Sequence, residues 1–128
     1  MVGYVDNIEE LTLKNTNFRE VMFTGSHSQL VVMCLKPGED IGEEVHNNVD
    51  QFFRVEAGVG KIVMNGEETE VKDGSAIVVP AGTKHNLINT SATEDLKLYT
   101  IYSPANHPVG TKHVTRADAM AAEAEHHH

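Results

Sequence analysis

The sequence predicts an all-β sandwich, jelly roll or barrel that ends in one short α-helix, and three observations carry that prediction. Apolar runs of about four to seven residues recur between residues 18 and 102. Glycine, proline and asparagine punctuate the gaps between them. A stretch of high helix propensity appears only beyond residue 114. With 128 residues, 40% hydrophobic and 23% charged, the chain fits one folded domain with no room for a second core.

Each element has a local cause. Phe18 to Phe23 and Leu30 to Leu35 are the first two strands, parted by Thr24-Gly25-Ser26-His27-Ser28. Lys36-Pro37-Gly38 ends the second, since proline donates nothing to a ladder. Gln51 to Val55 is apolar and aromatic, and Ala57-Gly58-Val59-Gly60 closes it. Lys61 to Met64 and Glu67 to Lys72 flank Asn65-Gly66, a pair that tolerates the two positive φ angles of a type I′ hairpin. Ser75 to Val79, His85 to Asn89 and Leu96 to Tyr102 complete eight strands. Helix is expected only at the end, over about 115–125, with Thr115 as cap, Asp118 three residues on, and the alanine-rich run after it. This helix is expected on the exterior of the sandwich. His126-His127-His128 reads as an affinity-tag remnant and is set aside. The single domain is then 1–128, with its core over about 18–104.

Composition narrows the function. Nineteen acidic residues face ten basic ones, a formal charge of −9, and no stretch supplies the basic face of a nucleic-acid binder. No apolar run approaches the ~20 residues of a membrane span, and no charged-then-apolar leader opens the chain. One cysteine, Cys34, makes no internal disulfide and reads as a buried small hydrophobe, so a reducing cytoplasm is the expected home.

Two segments carry chemistry. The first runs from Gly38 through Glu44, His46 and Gln51 to Gly58. The second runs from Gly74 through Pro80, Gly82 and His85 to Asn89. Glu44 and His46 lie two apart and would share a face of an extended strand, while His85 opens another strand that folding can bring beside them. Together the two segments resemble the paired motifs of the cupin family. The first motif is glycine, five residues, histidine, any, histidine, three or four residues, glutamate, six residues, glycine. Its spacing holds here, with Glu44 in place of the first histidine and Gln51 in place of the glutamate. The second motif, glycine, five residues, proline, any, glycine, two residues, histidine, three residues, asparagine, is matched throughout.

The resemblance implies a cupin-type double-stranded β-helix, or jelly-roll sandwich, with one divalent metal ion on Glu44, His46, Gln51 and His85. Two histidines, a carboxylate and an amide keep the −1 ligand charge of the family's three histidines and one carboxylate. That N₂O₂ set suits Zn, Mn, Fe, Co or Ni. It is similar in ligand types to that of the cupin-type phosphomannose isomerases, with amide and carboxylate exchanged. A cupin that has lost its metal is the rival reading, but both replacements are competent ligands. The resemblance further implies a homodimer.

The expected function is a metal-dependent enzyme, isomerase-like, acting on a small oxygen-rich metabolite such as a sugar or sugar phosphate. The alternatives are a metal-dependent dioxygenase and a non-catalytic small-molecule binding cupin. No Lys/Arg cluster marks a phosphate clamp. Strand parity puts Tyr102 on the pocket side as a candidate proton donor, opposite Lys97. Phe53 and Leu87 read as ordinary core, His107 and His113 as solvated loop histidines, and Asn89-Thr90-Ser91 as a chance sequon.

Overall fold

The computed structural model describes residues 2–126, with side chains as far as Ala124. The triple histidine at the carboxy terminus therefore lies outside the described side chains. Nine strands and two helices occur among the described residues. All eight expected strands form: β1 (Arg19–Thr24), β2 (Gln29–Leu35), β3 (Asp50–Ala57), β4 (Val59–Met64), β5 (Glu67–Lys72), β6 (Ala76–Val79), β7 (His85–Asn89) and β8 (Leu96–Ser103). A two-residue β9 (Lys112–His113) follows them. The larger sheet has the order β6-β3-β8-β2-β1-β9, and the smaller β5-β4-β7. Every pairing is antiparallel. This is the jelly-roll sandwich expected.

Between the sheets, alternate residues of each strand make the core. Met33, Leu98 and Val55 align across β2, β8 and β3, and Val31, Thr100 and Phe53 align in the next row. All six are at most 1% exposed. Phe53 and Leu87 join this core, as their parity predicts, and Cys34 is buried on β2. Asn65 (φ 49°) and Gly66 (φ 84°) form the tight β4–β5 hairpin. The segment 39–44 extends the smaller sheet: Asn89 N–H donates to the Glu39 carbonyl (2.8 Å), Ile41 N–H to Leu87 (3.0 Å) and Glu44 N–H to His85 (2.9 Å).

Two expectations need correction. Helix is not confined to the end, because α1 (Ile8–Lys14) precedes β1. Its Asn7 cap accepts from Glu10 N–H at 3.0 Å, Glu9 and Glu10 occupy the first turn, and Lys97 Nζ donates to the Leu13 carbonyl (2.7 Å). The helix escapes a pattern search because it buries only Thr12, so no apolar stripe marks it. The second correction concerns α2 (Arg116–His126). Thr115 and Asp118 cap it reciprocally as the sequence predicts, at 3.1 and 3.4 Å. The helix is more than a peripheral addition, however. Ala119 is fully buried, Arg116 Nη2 pairs with Asp40 Oδ1 (2.7 Å) beside the smaller sheet, and Glu123 reaches Arg19 on the larger one. It therefore straddles one end of the sandwich.

Candidate metal centre

The two motif segments meet in a clasp. Glu44 and His85 form an isolated antiparallel bridge, each N–H donating to the other's carbonyl at 2.9 Å. Gly82 N–H donates to the His46 carbonyl at 2.8 Å and fixes the next residues of the first segment. Only Glu44 is in a bridge and His46 lies beyond it, so their convergence comes from the clasp rather than from a shared strand face. Ligating atoms of Glu44, His46 and His85 all fall within 4.8 Å of one another.

The donor atoms present the lone pairs an ion needs. His85 Nδ1 donates to the Thr83 carbonyl (2.9 Å), which in the neutral ring puts the lone pair on Nε2, and that buried Nε2 has no hydrogen-bond partner. His46 Nε2 lies 2.8 Å from Glu44 Oε2, yet it makes no aligned hydrogen bond with that oxygen or any other atom. Two ligands each ~2.1 Å from one ion stand about 3.0–3.4 Å apart, so a small parting of this pair would admit a shared ion. Burial pushes the Glu44 carboxyl up, but the close His46 imidazole and the charges of Arg19 and His85 outweigh it, and the group titrates below its usual range.

Gln51 sits on β3, 2% exposed, directly opposite Tyr102 of β8. Its Nε2 donates to Thr100 Oγ1 (3.0 Å), and its Oε1 is a buried acceptor with no partner. Such an orphan is uncommon in a folded interior, and a cation would satisfy it. Tyr102 is also 2% exposed, its ring centroid 6.1 Å from that of His46. Burial raises its phenol to about 12, so it keeps its proton.

The site opens into a cleft of about 620 Å³ whose wall includes Glu43, Glu44, His46, Asn106, His107 and Glu123. His107 is no solvated loop histidine. Its Nε2 lies 3.2 Å from the Tyr102 hydroxyl, and burial together with the Arg19 charge lowers it to about 3, which keeps it neutral. His113 is likewise engaged, with Nδ1 3.4 Å from Arg19 Nη1. Arg19 itself, 1% exposed on β1, was not anticipated. Part of its signal was available: residues 19 and 21 share a strand face, and the inward Val21 takes Arg19 with it, while a bulge after Val21 turns Phe23 to the other face. The Asn89 side chain is also interior, donating to the Leu35 and Glu94 carbonyls, which closes the sequon to modification.

Comparison with known proteins agrees with this geometry. The sequence pattern described as the cupin domain matches residues 31–102. The uncharacterized protein YrkC of Bacillus subtilis is 53% identical over 126 residues, 94% of this chain and 67% of YrkC. The crystal structure of BH2720 from Bacillus halodurans superposes with a TM-score of 0.89 at 47% identity, covering 92% of this chain and 93% of that one. A mannose-1-phosphate guanylyltransferase of Salmonella montevideo is 32% identical over 65 residues, which is 51% of this chain but only 14% of that enzyme. No described helix is long and apolar enough to cross a membrane.

Proposed function

The chain belongs to the cupin family, and from that premise we propose that it holds one divalent metal ion on Glu44, His46, Gln51 and His85 and presents it to a small oxygen-rich metabolite in an isomerase-like reaction. One observation carries the reading: His85 Nε2 and Gln51 Oε1 are buried atoms without hydrogen-bond partners, and His46 Nε2 stands 2.8 Å from the Glu44 carboxylate that clusters with His85. Buried orphans of this kind are destabilising by about 1–3 kcal/mol each when nothing satisfies them. When bound, the ion would polarise a carbonyl and its neighbouring hydroxyl. Tyr102 keeps its phenolic proton and offers it to an oxygen that gains charge. The neutral His107 Nε2, 3.2 Å from that hydroxyl, orients it at the cleft wall without taking the proton itself.

A sugar phosphate is the weaker substrate choice. The likeness to the guanylyltransferase spans a small part of that enzyme, and no Lys or Arg is among the residues lining this cleft. The test uses protein without terminal histidines, stripped of metal and reconstituted anaerobically. Elemental analysis should give one ion per chain, lost in His46→Ala or His85→Ala. Gln51→Glu should hold hard divalent ions tighter by about tenfold through its added charge. Solvent deuterium should enter a bound hydroxy-carbonyl compound at the carbon next to the carbonyl. Full occupancy in the double histidine variant removes the ligand assignment. Oxygen uptake without deuterium entry replaces isomerisation with dioxygenase chemistry.

A further inference from the structure

Arg19 is the largest of the fully buried side chains, and its charge is met by the Phe18 ring, 5.3 Å from Cζ, and by one carboxylate at long range. A guanidinium offers five N–H donors and stays protonated at any ordinary pH. Here Nε is buried with no partner. The described contacts of Nη1 are both long: His113 Nδ1 at 3.4 Å and Glu123 Oε1 at 3.8 Å. A bidentate arginine–carboxylate pair brings its atoms to about 2.7–2.9 Å, so Glu123 stands off from the position an optimal partner would take. Burying a charge this completely is strongly unfavourable unless a well-placed anion answers it.

The position of Glu123 shows from which side such an anion would arrive. Its carboxylate lines the cleft over Glu44 and His46, on the last turns of a helix that straddles the sandwich mouth. It therefore stands between Arg19 and the cleft. Arg19 is tied to the candidate centre through that carboxylate, since Glu123 shares the cleft wall with Glu44, His46 and His107.

We propose that Arg19 is the anchor for a carboxylate on the substrate, and that Glu123 is a displaceable stand-in for that carboxylate. This deepens the reading of the site as a metal-dependent one and rests on it for the reacting end of the molecule. The substrate class is then a small 2-oxo or 2-hydroxy acid, its carboxylate on the guanidinium and its second oxygen toward Glu44, His46 and His85. The charge of the cleft favours a monoanion over a phosphate dianion. Glu43, Glu44 and Glu123 are on its wall, and among its lining residues there is no second cation. A single arginine already loosely paired with one carboxylate matches a group of charge −1.

The binding test uses metal-free protein without terminal histidines, so that no ion can hold the probe. Lactate, pyruvate, the neutral amide lactamide and inorganic phosphate are titrated separately and followed by chemical-shift changes. Lactate and pyruvate should bind, and lactamide should not. Glu123→Gln, a partly exposed position, should bind the two acids several-fold more tightly because the competing carboxylate is gone. Arg19→Gln should weaken them by about 30-fold or more, as expected for removal of one partner of a buried charge pair. The same Arg19→Gln protein should still take up one equivalent of Mn²⁺ or Zn²⁺.

Unchanged or weaker acid binding in Glu123→Gln overturns the proposal, and does so even if no Arg19 variant folds. Equal binding of lactate and lactamide overturns it too, as does phosphate binding tighter than either acid. Acid binding that depends on Arg19 in a protein that takes up no metal leaves this anchor standing and removes the metal reading. Metal uptake without acid binding does the reverse.

Discussion

Single side chains divide here into those that spacing reveals and those that only the folded chain brings into view. The convergence of Glu44, His46 and His85 was legible because two motif spacings nominate them, with Gln51, without any knowledge of direction. His107 was not, since a histidine in a Pro/Gly-containing segment has no periodicity to say that it turns inward against Tyr102. Its burial has a measurable consequence. Folding lowers His107 from 6.5 to about 3, so between those values the unfolded chain binds a proton that the folded chain refuses. The stability tied to this group is therefore complete above pH ~6.5 and is lost as pH falls toward ~3. Glu44, depressed below its usual range, adds a loss of the same sign at the acid end. Denaturant midpoints of chelator-treated protein should fall through this window, and His107→Asn should flatten the upper part of the decline. An identical pH profile in the variant would show that His107 is not the group responsible.

Among the elements, strands were legible and helices only half so. Turn residues marked the boundaries of β1 to β8 to within a few positions, because each turn has a backbone requirement that few residues meet, while the two-residue β9 went unmarked. Gly58 is the sharpest case. It holds φ +93° between β3 and β4, and a Cβ there would collide with the Asp95 carbonyl oxygen. Gly58→Ala should cost about 2–4 kcal/mol in chemical denaturation, through left-handed backbone strain and the displaced Asp95 carbonyl together. A loss below ~1 kcal/mol would mean that the 94–96 turn yields easily, and that the glycine closing the first motif is not required by sterics. The helix α1 was illegible for the opposite reason. Its seven residues bury one threonine, and its stability lies in the Asn7 cap and the Lys97 contact, not in an apolar face.

Across the whole molecule, the sandwich was readable from strand count and punctuation, but the closure of its mouth was not. The β9–α2 segment crosses that mouth through contacts distant in sequence, Arg116 with Asp40 and Glu123 with Arg19. Metal should act at this scale as well. At a free ion concentration 100 times its dissociation constant, binding adds about 2.7 kcal/mol to stability. For a chain of this length that is a rise of roughly 10 °C in Tm, reversed by a chelator. The gain should shrink as pH drops, because protons compete with the ion for its ligands.

The clasp between Glu44 and His85 determines how that gain is distributed. Segment 39–44 and β7 belong to the smaller sheet, whereas Gln51 lies on β3 of the larger. An ion held by all of them would be a reversible cross-link between two layers that otherwise meet through apolar packing, the Asn89–Leu35 hydrogen bond and the ion pairs of α2, and it would act like a rivet rather than a glue. It shortens the free path of the chain between residues 46 and 85 in every state that retains it. Without the rivet, the sheets are free to part at this end first. Amide exchange in β4 and β7 of chelated protein should then outpace that in β3 and β8, and one equivalent of metal should bring the two rates together.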